Sequence, residues 1–140
     1  MKKLSPKLIS VVVITILSFM FLSGCGAPKL SGDFKEAEVK KAAENVINMI
    51  STDNSAGLKD ICTVQMKNAL TDDVLKQIFA AIDEGGPYEK IEAISIAGQT
   101  DKNSKEEFAV AVVKAKYQIK TFTYTISFTK QMKLAGLYYK

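Results

Sequence analysis

Tyrosines and carboxylates are the side chains of this sequence that could perform acid–base chemistry, because the chain contains no histidine. The candidates in its second half are Tyr88, Glu92, Tyr117, Tyr124, Tyr138 and Tyr139. Tyr124 alternates with Phe122 and Ile126, so these three side chains are predicted to share one face of a strand. A pocket is predicted on that face, and Tyr138 is assigned to it as a fourth lining residue.

The predicted role of Tyr124 is structural rather than catalytic. A buried tyrosine can donate one hydrogen bond to a ligand oxyanion, but more often its ring fills the core and its hydroxyl finds a backbone partner. No acid is predicted to point inward beside Tyr124, and a tyrosine without such a partner is not a catalytic constellation. The acids fit helix ends and a hairpin loop, and their spacing matches no metal or phosphate-loop motif, so neither a metal nor a cofactor is expected.

Cys62 is the one cysteine within the predicted globular part of the chain. It ends the helical pattern Leu58-Lys59-Asp60-Ile61-Cys62 and is predicted to be a small buried hydrophobic residue. A thiol nucleophile needs a base, and the usual histidine is absent. We therefore expect Cys62 to be unreactive.

The N-terminus has the pattern of a secretory signal. Lys2, Lys3 and Lys7 form a basic region, and residues 8–22 are apolar except for Ser10, Thr15 and Ser18. This stretch of about 15 residues is short for a bilayer core, although an uncleaved signal anchor remains an alternative. Directly after it, Leu22-Ser23-Gly24-Cys25 resembles the lipobox of bacterial lipoproteins. The resemblance implies cleavage between Gly24 and Cys25 and attachment of a diacylglyceryl group to the Cys25 sulfur.

Processing at this position would change the charge of the protein. The precursor has 19 Lys+Arg and 15 Asp+Glu, and removal of three lysines leaves 16 against 15. Every basic residue is lysine, so the bidentate guanidinium contacts that favour phosphates and base edges are missing. Nucleic-acid binding is therefore not expected. The predicted organisation is a signal peptide over 1–24, a lipidated N-terminus and tether over 25–32, and a single domain over 33–140.

Three helices are predicted at the start of this domain. Asp33 and Glu36 resemble a capping box ahead of an apolar stripe that ends near Ser51. A shorter helix begins at Ser55, and Thr71 caps a third helix that stops at Gly85-Gly86-Pro87.

After Pro87 the apolar period changes from that of a helix to that of a strand. The four predicted strands span Tyr88 to Ala97, Glu107 to Ala115, Lys120 to Phe128 and Lys133 to Tyr139. Short connections favour an antiparallel meander. Gly136 interrupts the last strand and is predicted to mark a bulge or a close approach between the sheet and a helix. The predicted fold class is α+β, with N-terminal helices packed on a curved four-stranded antiparallel sheet.

The segments Gly86-Pro87-Tyr88-Glu89-Lys90-Ile91 and Met132 to Tyr139 resemble a bacterial family known as domain of unknown function 3887. The resemblance covers residues from about Phe34 to Lys140. It implies a cone-shaped fold similar to the nuclear transport factor 2-like, or cystatin-like, superfamily, with a curved sheet around helices. It supplies no catalytic residues.

The functional prediction is a noncatalytic binding or interaction module displayed outside the membrane of a Gram-positive cell. Its partners would be the membrane, through the lipid on Cys25, and a small apolar ligand or a protein. The alternative is a small cone-fold hydrolase, isomerase or dehydratase that uses a buried tyrosine and a carboxylate. A homodimer formed through the sheet is a third hypothesis, although the Thr121, Thr123, Thr125 and Ser127 face is polar.

Overall fold

The computed structural model describes residues 27–140, which form four helices followed by four strands. The helices are α1 (Glu36–Ser51), α2 (Ser55–Ile61), α3 (Val64–Ala69) and α4 (Asp72–Asp83). The strands are β1 (Tyr88–Thr100), β2 (Glu107–Tyr117), β3 (Thr121–Phe128) and β4 (Leu134–Tyr139). The predicted α+β class, with helices ahead of an antiparallel sheet, is confirmed.

Side-chain caps begin three of the four helices. The hydroxyl of Thr71 accepts from the amide of Val74 at the start of α4, as predicted. Asn54 and Thr63 cap α2 and α3 in the same way. The predicted capping box at Asp33 is wrong, because α1 begins after Lys35 and has no side-chain cap. The Asp33 carboxylate instead forms an ion pair with Lys130 at 2.7 Å, an interaction between distant parts of the chain that local sequence does not reveal.

Helix α3 is not among the predicted helices. It has six residues and none of them is buried, and Val64 at its start is 74% exposed. A helix without an inward apolar stripe gives no periodic signal. Its start is set by the Thr63 cap, and by the Thr63 amide, which donates to the carbonyl of Leu134 in the sheet.

Helix α4 ends just before Gly85 and Gly86, as predicted, and there the chain meets the turn between β2 and β3. Gly86 has φ +78°, a conformation that favours glycine. The amide of Ile119 donates to the carbonyl of Gly85, and that of Gln118 to the carbonyl of Pro87. The end of α4 is therefore bonded directly to one end of the sheet.

The strands form one open antiparallel sheet in the order β1-β2-β3-β4. Tyr88 pairs with Tyr117 and Thr100 with Glu107, so β1 and β2 run alongside each other over their whole length. Both exceed their predicted limits: Gly98 to Thr100 and Lys116 to Tyr117, predicted to be loop, continue the ladder. Backbone pairing overrides the weak local preference for a turn in these residues.

The sheet is bent at irregular positions in both edge strands. In β1 the register shifts between Tyr88 and Lys90 and again between Ile91 and Ala93. In β4, Gly136 faces Ser127 and Leu134 faces Phe128, which leaves Ala135 without a partner. The bulge predicted at Gly136 is therefore present, and such an extra residue increases the local twist of a strand.

The core fills the space between the helices and one face of the sheet. Helix α1 contributes Val39, Val46, Ile47 and Ile50, and α4 contributes Leu75, Phe79 and Ile82. The inward residues of the sheet include Ala111, Val113, Tyr124, Ile126 and Phe128. Most of these side chains are less than 2% exposed, so the interior on which the predicted pocket depends is closely packed.

Candidate functional site

Three of the four predicted pocket residues lie together, and the fourth lies on the other face of the sheet. Tyr124 and Ile126 are fully buried in the core and Phe122 is 8% exposed. Tyr138 pairs with Thr125, on the outer face, and is 41% exposed. Its place in the predicted pocket is corrected by the register: Tyr139, opposite Tyr124, is the tyrosine of β4 that points inward.

A chain of three hydroxyl groups crosses the core at the end of α1. The hydroxyl oxygens of Tyr117 and Tyr124 are 2.9 Å apart, and that of Tyr117 is 3.2 Å from Ser51 Oγ. Ser51 Oγ in turn donates to the carbonyl of Ile47 at 2.8 Å. The helix and two neighbouring strands are thus joined through polar groups in an otherwise apolar interior.

The positions of the protons in this chain follow from the partner at its end. A carbonyl oxygen can only accept, so the single proton of Ser51 is used on Ile47. Tyr117 must then donate to Ser51, and Tyr124 must donate to Tyr117. The Tyr124 proton is therefore committed inside the core, and this hydroxyl has no second proton for a ligand.

Aromatic rings occupy the space around these hydroxyls. The ring centroids of Tyr117 and Phe122 are 5.3 Å apart in an edge-to-face arrangement. Those of Tyr124 and Tyr139 are 6.2 Å apart, and Tyr88 packs on Tyr117 at 5.5 Å. Such contacts stabilise a core beyond the burial of their area. The interior beside Tyr124 is thus occupied by side chains of the protein itself.

Burial raises the pKa of Tyr124, and its hydrogen bond to Tyr117 raises it further. Burial also raises the pKa of Tyr139, with a smaller effect from the charge of Glu84. Both phenols therefore remain protonated at neutral pH and cannot act as bases. Glu92, the carboxylate candidate on the sheet, lies 3.4 Å from Lys114 Nζ in an ion pair at the surface. The structure does not bring it to Tyr124.

Cys62 is buried, as predicted, and lies where α2 meets the sheet. Its thiol donates to the carbonyl of Leu58 at 3.0 Å, and its backbone forms a bridge with Leu134. Burial raises its pKa to about 11, an effect that Lys67 and Lys133 only partly oppose. A thiol with so little thiolate at neutral pH is a poor nucleophile.

An open groove of about 530 Å³ lies on the helical side of the molecule, away from the predicted pocket. Its apolar floor is formed by α4, with Leu75, Phe79 and Ala80. The rest of the lining is polar and consists of three aspartates, one lysine and one serine: Asp53, Asp72, Asp83, Lys76 and Ser55. Sequence periodicity identifies α4 as amphipathic but does not show that the turn after α1 forms the other wall.

Gly24 and Cys25, the predicted cleavage and lipidation residues, lie outside the described residues, as does the predicted signal peptide. The described part of the predicted tether, in contrast, touches the domain. The amide of Gly98 in β1 donates to the carbonyl of Pro28 at 2.9 Å, and Leu30 packs against the core. Among the helices of residues 27–140, none is both long and apolar enough to cross a membrane.

This architecture defines a class, that of small α+β domains whose helices cover one face of an open four-stranded antiparallel sheet. Within it, the chain belongs to the family described as Protein of unknown function (DUF3887), which matches residues 43–137 and confirms the resemblance seen in the sequence. The NMR structure of a protein from Ruminococcus gnavus ATCC 29149 has a similar fold, with a TM-score of 0.70 and 17% sequence identity. The similarity covers 80% of this chain and 96% of that one. The comparison with curated proteins finds no match.

Proposed function

We propose that this chain is a lipid-anchored protein on the extracytoplasmic face of a Gram-positive cell membrane, and that its domain is a noncatalytic binding or interaction module. The anchor is supported by the sequence Leu22-Ser23-Gly24-Cys25 directly after a basic and apolar signal. Two acyl chains on Cys25 would hold the protein stably, since each buried methylene contributes about 0.8 kcal/mol.

The observation that carries the noncatalytic assignment is the hydrogen bond from Ser51 to the Ile47 carbonyl, from which the order of donors in the hydroxyl chain follows. Tyr124 was the best candidate for an acid, but its hydroxyl donates its hydrogen bond to the hydroxyl oxygen of Tyr117, and its ring is fully buried. An enzyme of the alternative kind would need this hydroxyl free and a carboxylate beside it. Binding is therefore assigned to the exterior of the domain, where a ligand or protein can reach it.

Replacing Cys25 with serine tests the anchor. We expect Cys25→Ser to remain an unprocessed precursor without lipid, because only the sulfur at this position accepts the diacylglyceryl group. The measurement is incorporation of a palmitate analogue by growing cells. Cys62→Ala is the matched control, since it removes the other cysteine and should keep full label. Equal labelling of Cys25→Ser and the parent would refute the lipid anchor.

A further inference from the structure

The stretch Pro28 to Ser31, called here the strap, lies along the free edge of β1. Among the strands of residues 27–140, in the order β1-β2-β3-β4, β1 has a neighbouring strand on one side only. The Gly98 amide points to the other side, where it donates to the carbonyl of Pro28. A Cβ atom at Gly98 would overlap the carbonyl oxygen of Lys29. Glycine inside a strand is typical of such a close approach by another backbone.

Contacts beyond Gly98 hold the far end of the strap. Ser31 Oγ donates to the Glu107 carboxylate at 3.3 Å. Lys130 Nζ lies 2.7 Å from Glu107 and 2.7 Å from Asp33, and so ties the start of β2 to the residues that follow the strap. Leu30 packs against the core. The chain is thus held to the sheet from Pro28 onwards.

The strap leaves a very short connection to the predicted lipid. Only Gly26 and Ala27 separate Cys25 from Pro28, so the two Cα atoms can be at most about 11 Å apart in an extended chain. If the strap were free, the eleven steps from Cys25 to Glu36 could extend to about 40 Å. That distance is close to the length of β1, whose 13 residues span about 43 Å. A docked strap therefore restricts which part of the domain can meet the bilayer, and a free one does not.

We propose that the strap orients the domain on the membrane, with the Gly98 end of β1 and the adjoining β1–β2 turn facing the lipid headgroups. The turn is polar and exposed, and it carries Lys102 and Lys105. Its Asp101 carboxylate is occupied by the amides of Asn103 and Ser104. The β2–β3 turn, at the other end of the paired strands, points away from the bilayer. The orientation rests on the proposed lipid anchor, whereas the docking of the strap does not.

Protease release tests the docking in the full chain bound to its membranes. Trypsin cleavage after Lys29 frees the domain, and a strap held against β1 should resist it. We expect Gly98→Ala to accelerate this release at least tenfold by displacing the strap. Gly32→Ala is the matched control, because a Cβ there meets nothing within 4 Å. Leu30→Ala, which leaves the sheet untouched, should accelerate release as well. Equal release rates for Gly98→Ala, Leu30→Ala and the parent would overturn the docking.

Fluorescence quenching tests the orientation. A fluorophore is attached at Lys102→Cys, in the β1–β2 turn, or at Ile119→Cys, in the β2–β3 turn, where the native side chain is 72% exposed. In liposomes with a quencher on the headgroups, we expect quenching at 102 to exceed that at 119 severalfold, and Gly98→Ala to bring the two close together. Equal quenching in the parent would overturn the proposed orientation.

The mass of the N-terminal peptide that begins at residue 25 shows whether Cys25 carries the lipid. This measurement distinguishes a failure of the proposed orientation from a failure of the proposed lipid anchor. A lipidated peptide with equal quenching would refute the orientation alone. An unlipidated chain that is still protected at Lys29 would refute the anchor, and with it the basis of the orientation, while the docking would stand.

Discussion

The order of donors in the buried hydroxyl chain predicts that its two tyrosines contribute unequally to stability. Tyr124→Phe removes one donor, and Tyr117 still donates to Ser51. The expected loss in the free energy of unfolding is about 1 kcal/mol, the usual net value of one hydrogen bond. Tyr117→Phe removes two hydrogen bonds and leaves the proton of a fully buried Tyr124 without an acceptor. Its expected cost is about 2–3 kcal/mol, because an unsatisfied buried donor alone costs roughly 1–3 kcal/mol.

The double variant distinguishes this order from simple loss of contacts. Adding Tyr124→Phe to Tyr117→Phe removes the orphaned hydroxyl, so the double variant should be about 1 kcal/mol more stable than Tyr117→Phe alone. Urea unfolding of the domain that begins at Gly26 gives the free energy of unfolding of the parent, the two single variants and the double variant. Tyr138→Phe, with its ring exposed on the outer face, is the control and should change stability by less than about 0.5 kcal/mol.

Two results would refute the reasoning. If Tyr124→Phe lowers the free energy of unfolding as much as Tyr117→Phe does, the hydroxyl protons do not follow the order derived from the hydrogen bond between Ser51 and the Ile47 carbonyl. If the two substitutions are additive, the Tyr124 hydroxyl does not depend on Tyr117 and could be available to a ligand. The second result would also reopen the enzymatic alternative.

Two further predictions concern Gly136 and Cys62. Gly136→Val should lower the free energy of unfolding by about 1–3 kcal/mol, because a large side chain is forced into a buried position beside the bulge at Ala135. Thr125→Val, in a regular pair on the same face, should be nearly neutral in the same denaturant experiment, and equal effects would show that the bulge imposes no constraint. Cys62 should react with a thiol reagent at pH 8 about a hundredfold more slowly in the native than in the unfolded domain, since its pKa rises from 9.0 to about 11. Similar rates in the two states would mean that the thiol is exposed.

The order of the helices and strands follows from the sequence to a large extent. The inward alternation of Phe122, Tyr124 and Ile126, the Thr71 cap and the stop at Gly85 and Gly86 are all local patterns, and the structure confirms each of them. The alternation also continues from Ala115 to Tyr117, which would have extended β2 to its observed end. Helix α3 gave no such signal, because none of its side chains is buried and only Met66 packs against the core.

The candidate site depended on information that the local sequence does not contain. The pattern placed Tyr124 inside, but the position of Tyr138 depended on how β4 pairs with β3, and a shift of one residue reverses the face of every side chain. The donor order likewise required the contact between Ser51 and Tyr117, 66 residues apart in the chain.

The fold class, the family resemblance, the burial of Cys62 and the prediction of a lipid on Cys25 could all be read from the amino-acid sequence. These rest on periodicity, residue type and short contiguous motifs. Contacts in the folded chain, by contrast, fill the interior beside Tyr124, pair the Asp33 carboxylate with Lys130 and hold the strap against Gly98. Each of these depends on residues far apart in the chain, which come together because the sheet and helices bury a common core.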